Sequence, residues 1–561
     1  MTTPASVAAT HERPRRRRRA SWPLVCILLV ALTVRLVALR HGLPHAYNAD
    51  EELHYVPQAT RAADGDWYSG YFENPSGFTY LVALVYRVVF AGQDVTLLLV
   101  DDPTAVLVVA RLVAALLGTA AVAAVYAAGR AYAGHRVGLC AAAFLGLAYL
   151  PVFYSHQALN DVPTLLPTAV ALAACLRYLD GGRRRDLLLA GAAVGLAAGI
   201  KYLAAPMALV VAAAVLIRVR REDGRISHAL LPLAAAGLVC IGALLLLNPF
   251  LAVEFDKFLA NFTGQSAQAA TAKLGQTGSA WLGYPASLLW GFGVLPTALA
   301  VAGAVLGWRA DRGRALLLVL FPLVLLVTMS VQGRYFGRWM LPAYPALAVL
   351  AGYGAVRSAD LLNARLLNRR VLTARLLTGR LRGAPAALAA VMVVGLAQPA
   401  TDVLRSDVVL SRTDTREAAL VWMRREIPAG QRLVLEPAFP GSYRRSLRDA
   451  GLALASVPRP FQEYELRLRP SLVDGYRSDG YCWVVVSGHQ HDRGLAAGLA
   501  DAAAYYAHLR AESDLVFRAT PFADDSSTDF SYDFSFNYYP PAHRRPGPVV
   551  EIYRLRDCAD A

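Results

Sequence analysis

Charged residues are scarce in this 561-residue chain. Only 17% of the residues are charged, whereas 56% are hydrophobic and the mean hydropathy is +0.38. Such a composition is too apolar for one soluble globule and predicts a polytopic membrane protein. The sequence also lacks a Walker-type phosphate loop and a glycine-rich dinucleotide fingerprint. Neither a nucleotide-powered pump nor a Rossmann site for a nucleotide sugar is therefore supported.

Eleven apolar stretches are long enough to be membrane-spanning helices. A bilayer core about 30 Å thick needs about 20 apolar residues, and fewer where a span is buried among others. The predicted spans are 22–39, 110–129, 137–154, 163–179, 187–200, 202–217, 229–249, 283–306, 315–331, 340–356 and 385–399. We expect the first to remain as a helix and not to be a cleaved signal peptide, because its apolar core is long and no small-residue cleavage pattern follows.

Lysine is nearly absent, with three residues at positions 201, 257 and 273, so arginine carries the formal net charge of +15. The arginine clusters fall before the first span and after every second span. Because Lys and Arg favour cytoplasmic loops, this alternation predicts a cytoplasmic N-terminus at 1–21. It also predicts a transmembrane domain at 22–400 with an external loop at 41–105. Most of the positive charge is thus an orientation signal in a multi-pass plasma-membrane protein, and no nucleic-acid partner is expected.

The composition changes after about residue 400. Segment 414–426 is amphipathic, and the runs RLVLEP, YCWVVVSG and GPVVEIYRL are separated by turns rich in Pro, Gly and Asp. This pattern predicts a small soluble α/β domain at 401–561, on the external side by the loop count. Cys482 and Cys558 fall in this domain and could pair in an oxidising compartment, a question that the sequence leaves open.

Acidic residues stand at the external ends of two predicted spans. The stretch ADEELHYV places Asp50 and Glu51 just after the first span, and YSHQALND places Asp161 just before the fourth. Two carboxylates in a pocket at the membrane edge can have different roles. One can act as a general base, and the other can orient that base or bind a cation. Helix capping is the alternative at both places. Asn48 would then cap a helix whose third residue is Glu51, and Asp161 would cap the fourth span.

Cations are predicted at the same membrane edge. Lys201 lies in GLAAGIKYLAAP between two short spans, and Arg334 and Arg338 flank Tyr335 in GRYFGRWMLPAYP. A cation at this depth either extends its side chain to water or meets an anion. The phosphate of a lipid-linked sugar would bind to these cations. An incoming acceptor hydroxyl would be the group on which the carboxylates act. The alternative is an aromatic belt with arginines that reach the interface.

Taken in order, these motifs resemble the GT-C glycosyltransferases of the dolichyl-phosphate-mannose protein mannosyltransferase-like superfamily. The resemblance covers residues 20–440 and is carried by ADEELHYVPQA, ENPSGFTYLVAL, SHQALNDVPTLL, GLAAGIKYLAAP and GRYFGRWMLPAYPALAVLAGYG. It implies a polytopic α-helical membrane protein with about 11 transmembrane helices. Asp50 matches the presumed base after the first helix, with Glu51 beside it, and Asp161 matches the second external acid. The usual His-Pro-Pro-type start of the next interfacial helix reads ENPSG here, which makes Glu73 a further candidate acid.

The resemblance also implies a mechanism and a set of ligands. Asp50 would take the proton from an acceptor hydroxyl, whose oxygen displaces the prenyl phosphate with inversion at the anomeric carbon. The lipid phosphate would be bound by basic and tyrosine side chains, namely Lys201, Arg334, Arg338 and Tyr335. A divalent cation, Mg²⁺ or Mn²⁺, would have as its candidate ligands Asp50, Asp161, His54 and His156.

The resemblance thus implies an inverting membrane glycosyltransferase that uses a polyprenyl-phosphate sugar and acts on a glycan, protein or lipid acceptor. A transporter or flippase of a lipid-linked or anionic substrate is an alternative, although the candidate charges cluster on one face and no inverted repeat relates the two halves. A non-enzymatic envelope assembly protein is another, in which the external domain binds partners. The sequence does not decide the sugar, the acceptor or the prenyl length.

Overall fold

The structure is a computed structural model that describes residues 22–222, 224–373, 383–455, 464–523 and 526–558. Long helices occupy the chain up to residue 410, and an α/β domain follows. The predicted basic N-terminus at 1–21 lies outside the described residues.

A helix coincides with each of the eleven predicted apolar stretches. These helices are Trp22–Leu36, Pro103–Ala133, His135–Leu147 with Tyr149–Phe153, Leu165–Gly181, Arg184–Ile200, Ala208–Arg221, Leu230–Leu247, Ala280–Leu288 with Val294–Ala310, Arg312–Ser330, Tyr344–Thr373 and Gly383–Leu410. Within the described residues, seven helices are long and apolar enough to cross a membrane, or eight if the bent pair His135–Leu147 and Tyr149–His156 is one span. Trp22–Leu36, Leu165–Gly181 and Arg184–Ile200 are shorter, with 15, 17 and 17 residues.

The connection after the first helix contains four short helices. They are Glu51–Tyr55, Val56–Ala63, Gly77–Val89 and Val95–Asp101. The side-chain oxygen of Asn48 accepts a hydrogen bond of 3.0 Å from the Asp50 N–H, but the residue that precedes the helix Glu51–Tyr55 is Asp50, which makes no side-chain capping bond. Glu51–Tyr55 is wound as a π-helix, a form that often occurs at functional sites.

Shorter helical segments join the long helices. They are Tyr154–His156, Tyr202–Met207, Ile226–Ala229, Phe250–Val253, Phe255–Ala269, Leu289–Gly293 and Gly337–Ala343.

Two glycines fix the end of the helix Arg184–Ile200, which leads into Lys201. A Cβ on Gly195 would lie 2.1 Å from the carbonyl oxygen of Cys240, and a Cβ on Gly77 would lie 2.4 Å from that of Gly199. Only glycine allows backbones to approach so closely, and such close approach is how helices gain packing contacts inside a membrane. The position of Lys201 is therefore set by helix packing on two sides.

A five-stranded sheet forms the centre of the C-terminal domain. Its strands are β1 (Arg432–Leu435), β2 (Ala453–Ala455), β3 (Tyr481–Ser487), β4 (Ser513–Ala519) and β5 (Val550–Leu555), in the order β2-β1-β3-β5-β4. Strand β1 is parallel to β2 and β3, with Leu433 opposite Trp483, whereas β5 is antiparallel to β3 and β4. The three predicted strands, β1, β3 and β5, are confirmed. The sequence did not predict β2 and β4, because one is very short and the other is a largely exposed edge strand.

Helices cover both faces of this sheet. They are Thr415–Glu426, Gly441–Asp449, Glu465–Arg467, Ser471–Ser478, Gly488–Ala496 and Ala500–Glu512, whereas Tyr532–Asn537 packs against the helical bundle, where Phe534 contacts Trp290. Leu433 belongs to the apolar cluster under Thr415–Glu426, and its neighbour Val434 belongs to the cluster under Ala500–Glu512. Adjacent strand residues thus face opposite layers, and the predicted helix at 414–426 is confirmed.

A disulfide joins Cys482 of β3 to Cys558 beyond β5. The two cysteines are 76 residues apart, and a bridge across a long loop stabilises a domain by about 2–4 kcal/mol, mainly by restricting the unfolded chain. We expect the double variant Cys482→Ala/Cys558→Ala to lose about this much stability. Thermal unfolding of the variant, compared with the wild type under reducing and oxidising conditions, is the measurement. Equal unfolding temperatures in all samples would contradict the prediction.

Candidate functional site

Two ion pairs meet at the end of the helical bundle that faces the C-terminal domain. One Nη of Arg338 lies 2.7 Å from Oδ2 of Asp50, and Nζ of Lys201 is paired with Oδ1 of Asp161. The pairs are close enough for Arg338 to act electrostatically on Asp161, and for Lys201 to act on Asp50. Four residues predicted from distant parts of the sequence are thus brought together by the fold.

The two carboxylates differ in accessibility. The side chain of Asp50 is 40% exposed, whereas those of Asp161 and Lys201 are 3% and 8% exposed. The alternative in which Lys201 reaches water alone is therefore wrong. The capping alternative for Asp161 is also wrong, because the next helix begins at Leu165 and has Thr164 as its N-cap. Asp161 and Lys201 form a buried pair, and Asp50 is the carboxylate that a ligand can reach.

Asp50 is ionised at neutral pH. Its recessed position raises its pKa, but the charge of Arg338 and the hydrogen bond from it outweigh this effect, and His54 and Lys201 act in the same direction as Arg338. The pKa of Asp50 consequently lies below its ordinary value of 3.8. A carboxylate in this state carries no proton near pH 7 and can accept one.

Glu51 points away from this group, contrary to its predicted catalytic role beside Asp50. Its carboxylate is buried and accepts two hydrogen bonds of 2.8 Å from Arg111, one on each oxygen. One of the same oxygens also accepts the Ala158 N–H at 2.8 Å. Successive residues of a helix point about 100° apart, so neighbours such as Asp50 and Glu51 reach different surroundings. Through these bonds Glu51 ties the segment of Asp50 to the helix Pro103–Ala133 and to the segment leading to Asp161.

Three other predicted residues lie at the rim of this site. The charge of Glu73 acts on Arg334, which is half-buried and follows the helix Arg312–Ser330. Tyr335 faces away from the two ion pairs, toward Asp533 of the C-terminal domain. The interactions of Glu73 and Tyr335 are thus with Arg334 and Asp533, outside the two ion pairs.

The two predicted histidine ligands do not complete a metal site with Asp50 and Asp161. His156 is buried with its ring nitrogens 3.2 and 3.1 Å from main-chain carbonyl oxygens, and His54 stacks on Tyr71 with ring centroids 4.6 Å apart. The part of the chain that the structure describes contains no group of three or more His, Cys, Asp or Glu placed to hold a metal ion. Asp50 and Asp161 also have basic side chains as partners already. These residues do not fit the predicted Mg²⁺ or Mn²⁺ site.

Lys273 is a further cation at the site that the sequence motifs did not indicate. Its Nζ lies 5.3 Å from the ring centroid of Phe336 and 5.2 Å from that of Tyr532. Burial and the nearby charge of Arg334 lower the pKa of Lys273 to about 8. The rarity of lysine could have marked this residue as a candidate, because only two other lysines occur in the chain.

Asp533 connects the C-terminal domain to the site. Its two carboxylate oxygens accept hydrogen bonds of 3.1 and 3.0 Å from the N–H of Gly337, the residue before Arg338. Burial raises the pKa of Asp533 to about 6, although the Gly337 hydrogen bond and the charge of Arg338 oppose the rise. The C-terminal domain therefore helps to hold the loop that presents Arg338.

The Asp533→Asn variant should reveal this raised pKa in its pH dependence. Between about pH 4 and about pH 6, the unfolded chain ionises Asp533 while the folded chain keeps the proton, so the folded state loses up to about 3 kcal/mol as the pH rises. Asparagine cannot ionise. We expect the variant to unfold at a higher temperature than the wild type near pH 7 and at a similar temperature near pH 4. Equal or lower stability of the variant near pH 7 would contradict this.

Comparison with known proteins adds to this geometry. A family model described as dolichyl-phosphate-mannose-protein mannosyltransferase matches residues 95–246. Curated protein sequences give no match. ArnT from Cupriavidus metallidurans, bound to undecaprenyl phosphate, is similar with a TM-score of 0.52 and 18% identity, covering 96% of this chain and 98% of that one. The apo oligosaccharyltransferase of Archaeoglobus fulgidus has a TM-score of 0.52 and 12% identity, covering 91% and 74%.

A third structure, the Archaeoglobus fulgidus oligosaccharyltransferase AglB with an inhibitory peptide and a dolichol-phosphate, has a TM-score of 0.50 and 13% identity, covering 89% and 73%. The chain has the GT-C glycosyltransferase fold. The predicted fold class, a helical membrane protein with a small C-terminal α/β domain, is confirmed. Two of these GT-C structures, of ArnT and AglB, contain a polyprenyl phosphate.

Proposed function

We propose that the protein is an inverting glycosyltransferase that moves a sugar from a polyprenyl phosphate to an acceptor hydroxyl on the external face of the plasma membrane. The observation that carries the proposal is the meeting of Asp50 and Asp161 with Lys201 and Arg338 at one end of the bundle. This end is the predicted external one. The GT-C fold and the polyprenyl phosphates in ArnT and AglB support the donor class.

The donor phosphate would be bound by Arg338 and Lys201, with Lys273 and Arg334 nearby. Hydrogen bonds between charged groups are stronger than neutral ones, and guanidinium matches phosphate oxygens in pairs. In the absence of donor, each of the two main cations is held by a carboxylate of the protein itself. A phosphate that enters this site therefore competes with those carboxylates for the same cations.

This competition would make Asp50 more basic. Arg338 keeps the pKa of Asp50 low, so turning Arg338 toward the donor phosphate leaves Asp50 a stronger base. The acceptor oxygen forms a bond to the anomeric carbon while its proton passes to Asp50. The bond from that carbon to the phosphate oxygen breaks, and its electron pair leaves with the prenyl phosphate. Lys201 and Arg338 stabilise the charge on the leaving group.

The test measures donor binding and transfer in the full chain in lipid nanodiscs, with polyprenyl-phosphate mannose and polyprenyl-phosphate arabinose as probes. The variant Lys201→Met should weaken donor binding about 10- to 100-fold, because a charged hydrogen bond to the phosphate is lost. The double variant Lys201→Met/Asp161→Asn removes the opposing charge as well and guards against a folding defect. Lys257→Met, at an exposed lysine, is the matched control.

The outcomes separate the candidate functions. Sugar transfer by the wild type, with weaker donor binding in both Lys201 variants, supports the proposal. Donor binding without transfer to any membrane acceptor would favour a transporter or flippase. If neither lipid binds, the proposed function is overturned and a role in envelope assembly gains support.

A further inference from the structure

A cavity of about 390 Å³ lies between the loop that carries Asp50 and the C-terminal domain. Tyr47, Ala49 and Glu52 line it from the loop side. Residues 437–441, 528–531, 534–536 and 538 line it from the domain side. The site described above contributes no cation to it. The cavity is therefore separate from the two ion pairs but shares a chain segment with Asp50.

The topology of the sheet places this cavity where α/β domains bind ligands. Strands β1 and β3 are parallel neighbours, and the cavity is lined by residues that follow each of them, namely 437–441 after β1 and Gly488, His489 and Asp492 after β3. Ligands of open α/β sheets bind in the crevice beyond the carboxyl ends of such strands. Buried Glu436 fixes the two strand ends together, because its carboxylate accepts the N–H of Ser487 at 2.6 Å.

Aromatic rings form much of the cavity wall. Four partly exposed phenylalanines line it, namely Phe522, Phe530, Phe534 and Phe536. The ring of His489 packs against both Phe530 and Phe536, with centroids 5.6 Å apart in each case. These flat apolar faces are held in place by one another and are open to a ligand on one side. They suit the C–H faces of sugar rings.

The lining contains hydroxyl and imidazole side chains, and among its charged side chains the carboxylates outnumber the arginines by three to two. The carboxylates of Glu52, Asp492 and Asp529 line the cavity, where Glu52 accepts the N–H of Gly441 and Asp492 is paired with His491. Two arginines also line it, but both are engaged. Arg416 is in a buried ion pair with Asp414, and Arg444 donates a hydrogen bond of 2.8 Å to a main-chain carbonyl oxygen. Carboxylates accept hydrogen bonds from hydroxyl groups and repel anions. The lining therefore favours a neutral ligand with many hydroxyl groups.

We propose that this cavity binds a neutral oligosaccharide, which is the acceptor of the transfer reaction. This inference rests on the proposed function, and it narrows the acceptor class from glycan, protein or lipid to glycan. A sugar seated against the phenylalanines would direct its next residue along the loop toward Asp50. The C-terminal domain and the loop then recognise the acceptor, while Lys201 and Arg338 recognise the donor.

A peptide acceptor fits the cavity less well. One common mode of peptide binding adds an extended strand to the free edge of a sheet. The edges of this sheet are β2 and β4, and among the described residues neither strand lines the cavity. A phosphorylated or otherwise anionic acceptor would meet the three carboxylates. A neutral glycan needs no free sheet edge and is not repelled by the carboxylates.

The test is binding of mannotriose, galactotriose and arabinotriose to the full-length protein in nanodiscs, measured by saturation-transfer NMR and calorimetry. Phe536→Ala and Asp492→Asn should each weaken saccharide binding about 10-fold or more, because an apolar face or a hydroxyl acceptor is removed. The matched controls are Phe255→Ala and Asp501→Asn, which are exposed positions outside the cavity. A peptide that contains Ser and Thr is the competing probe.

The outcomes distinguish failure of this inference from failure of the proposed function. Saccharide binding that survives Asp50→Asn but is lost in Phe536→Ala and Asp492→Asn supports the cavity as the acceptor site. If that binding occurs and no sugar is transferred, the cavity still recognises glycans and the transferase proposal fails. If sugar is transferred but both cavity variants leave KM for the acceptor unchanged, the inference is overturned. Absence of saccharide binding, or displacement of the saccharide by the peptide at equal affinity, also overturns it.

Discussion

The Asp50→Asn variant should transfer sugar about 10²- to 10⁴-fold more slowly than the wild type, because general base catalysis contributes a factor of this size. The amide cannot take up the acceptor proton. It also cannot hold Arg338 by charge, so the guanidinium becomes freer to meet the donor phosphate. We therefore expect a lower kcat together with unchanged or tighter donor binding. The measurement is transfer of labelled sugar from a polyprenyl-phosphate donor at matched protein amounts.

Asp66→Asn is the matched control for this variant. Asp66 is an exposed carboxylate in the same connection, and its replacement should leave kcat within about two-fold, as for most surface substitutions. Equal rates for Asp50→Asn and the wild type would make Asp50 a structural residue. The proposed mechanism would then lose its base.

The helical part of the fold was predictable because hydrophobic length is a strong signal. Each predicted apolar stretch is occupied by a helix, and the positions of Asp50, Asp161, Lys201 and Arg338 on one side followed from the alternation of arginine-rich loops. The pairing within this group was not predictable. Two carboxylates and two cations at the same end of the bundle can pair in more than one way. Helix packing determines that Lys201 pairs with Asp161 and Arg338 with Asp50.

The different roles of Asp50 and Glu51 could not be read from their adjacency. Neighbours in a chain share a motif, but the helix turns one toward Arg338 and the other toward Arg111. A signal was nevertheless present, because Arg111 lies inside an apolar run, where a cation requires an anion. The position of Arg111 therefore predicts a buried carboxylate as its partner, and in the structure this partner is Glu51.

The contacts between the helical bundle and the C-terminal domain could not be predicted from the sequence for a different reason. Asp533 and the cavity phenylalanines come from the connection between β4 and β5, in which the short helix Tyr532–Asn537 lies between irregular stretches. No periodicity relates Asp533 to Gly337, which is 196 residues away. Contacts of this kind arise from tertiary structure alone and leave no local pattern.

The buried pair of Glu51 and Arg111 should be the most sensitive point for stability. Arg111→Met leaves the Glu51 carboxylate buried without its partner, which typically costs about 3–5 kcal/mol. It also removes hydrogen bonds of 3.0 and 2.8 Å to the carbonyl oxygens of Leu39 and His41. We expect a marked drop in thermal stability, whereas Arg87→Met, at an exposed arginine, should change it little.

The double variant Arg111→Met/Glu51→Gln tests whether the pair positions Asp50 as well as stabilising the fold. With both charges removed, much of the lost stability should return, because no uncompensated charge stays buried. Transfer should nevertheless remain about 10²-fold below the wild type, since the segment of Asp50 is no longer held to the helix Pro103–Ala133 and small displacements of a reacting group are costly. Recovery of both stability and transfer would show that the pair serves the fold alone. Failure to recover stability would show that the hydrogen bonds of Arg111 to the main chain, and not its charge, hold this connection in place.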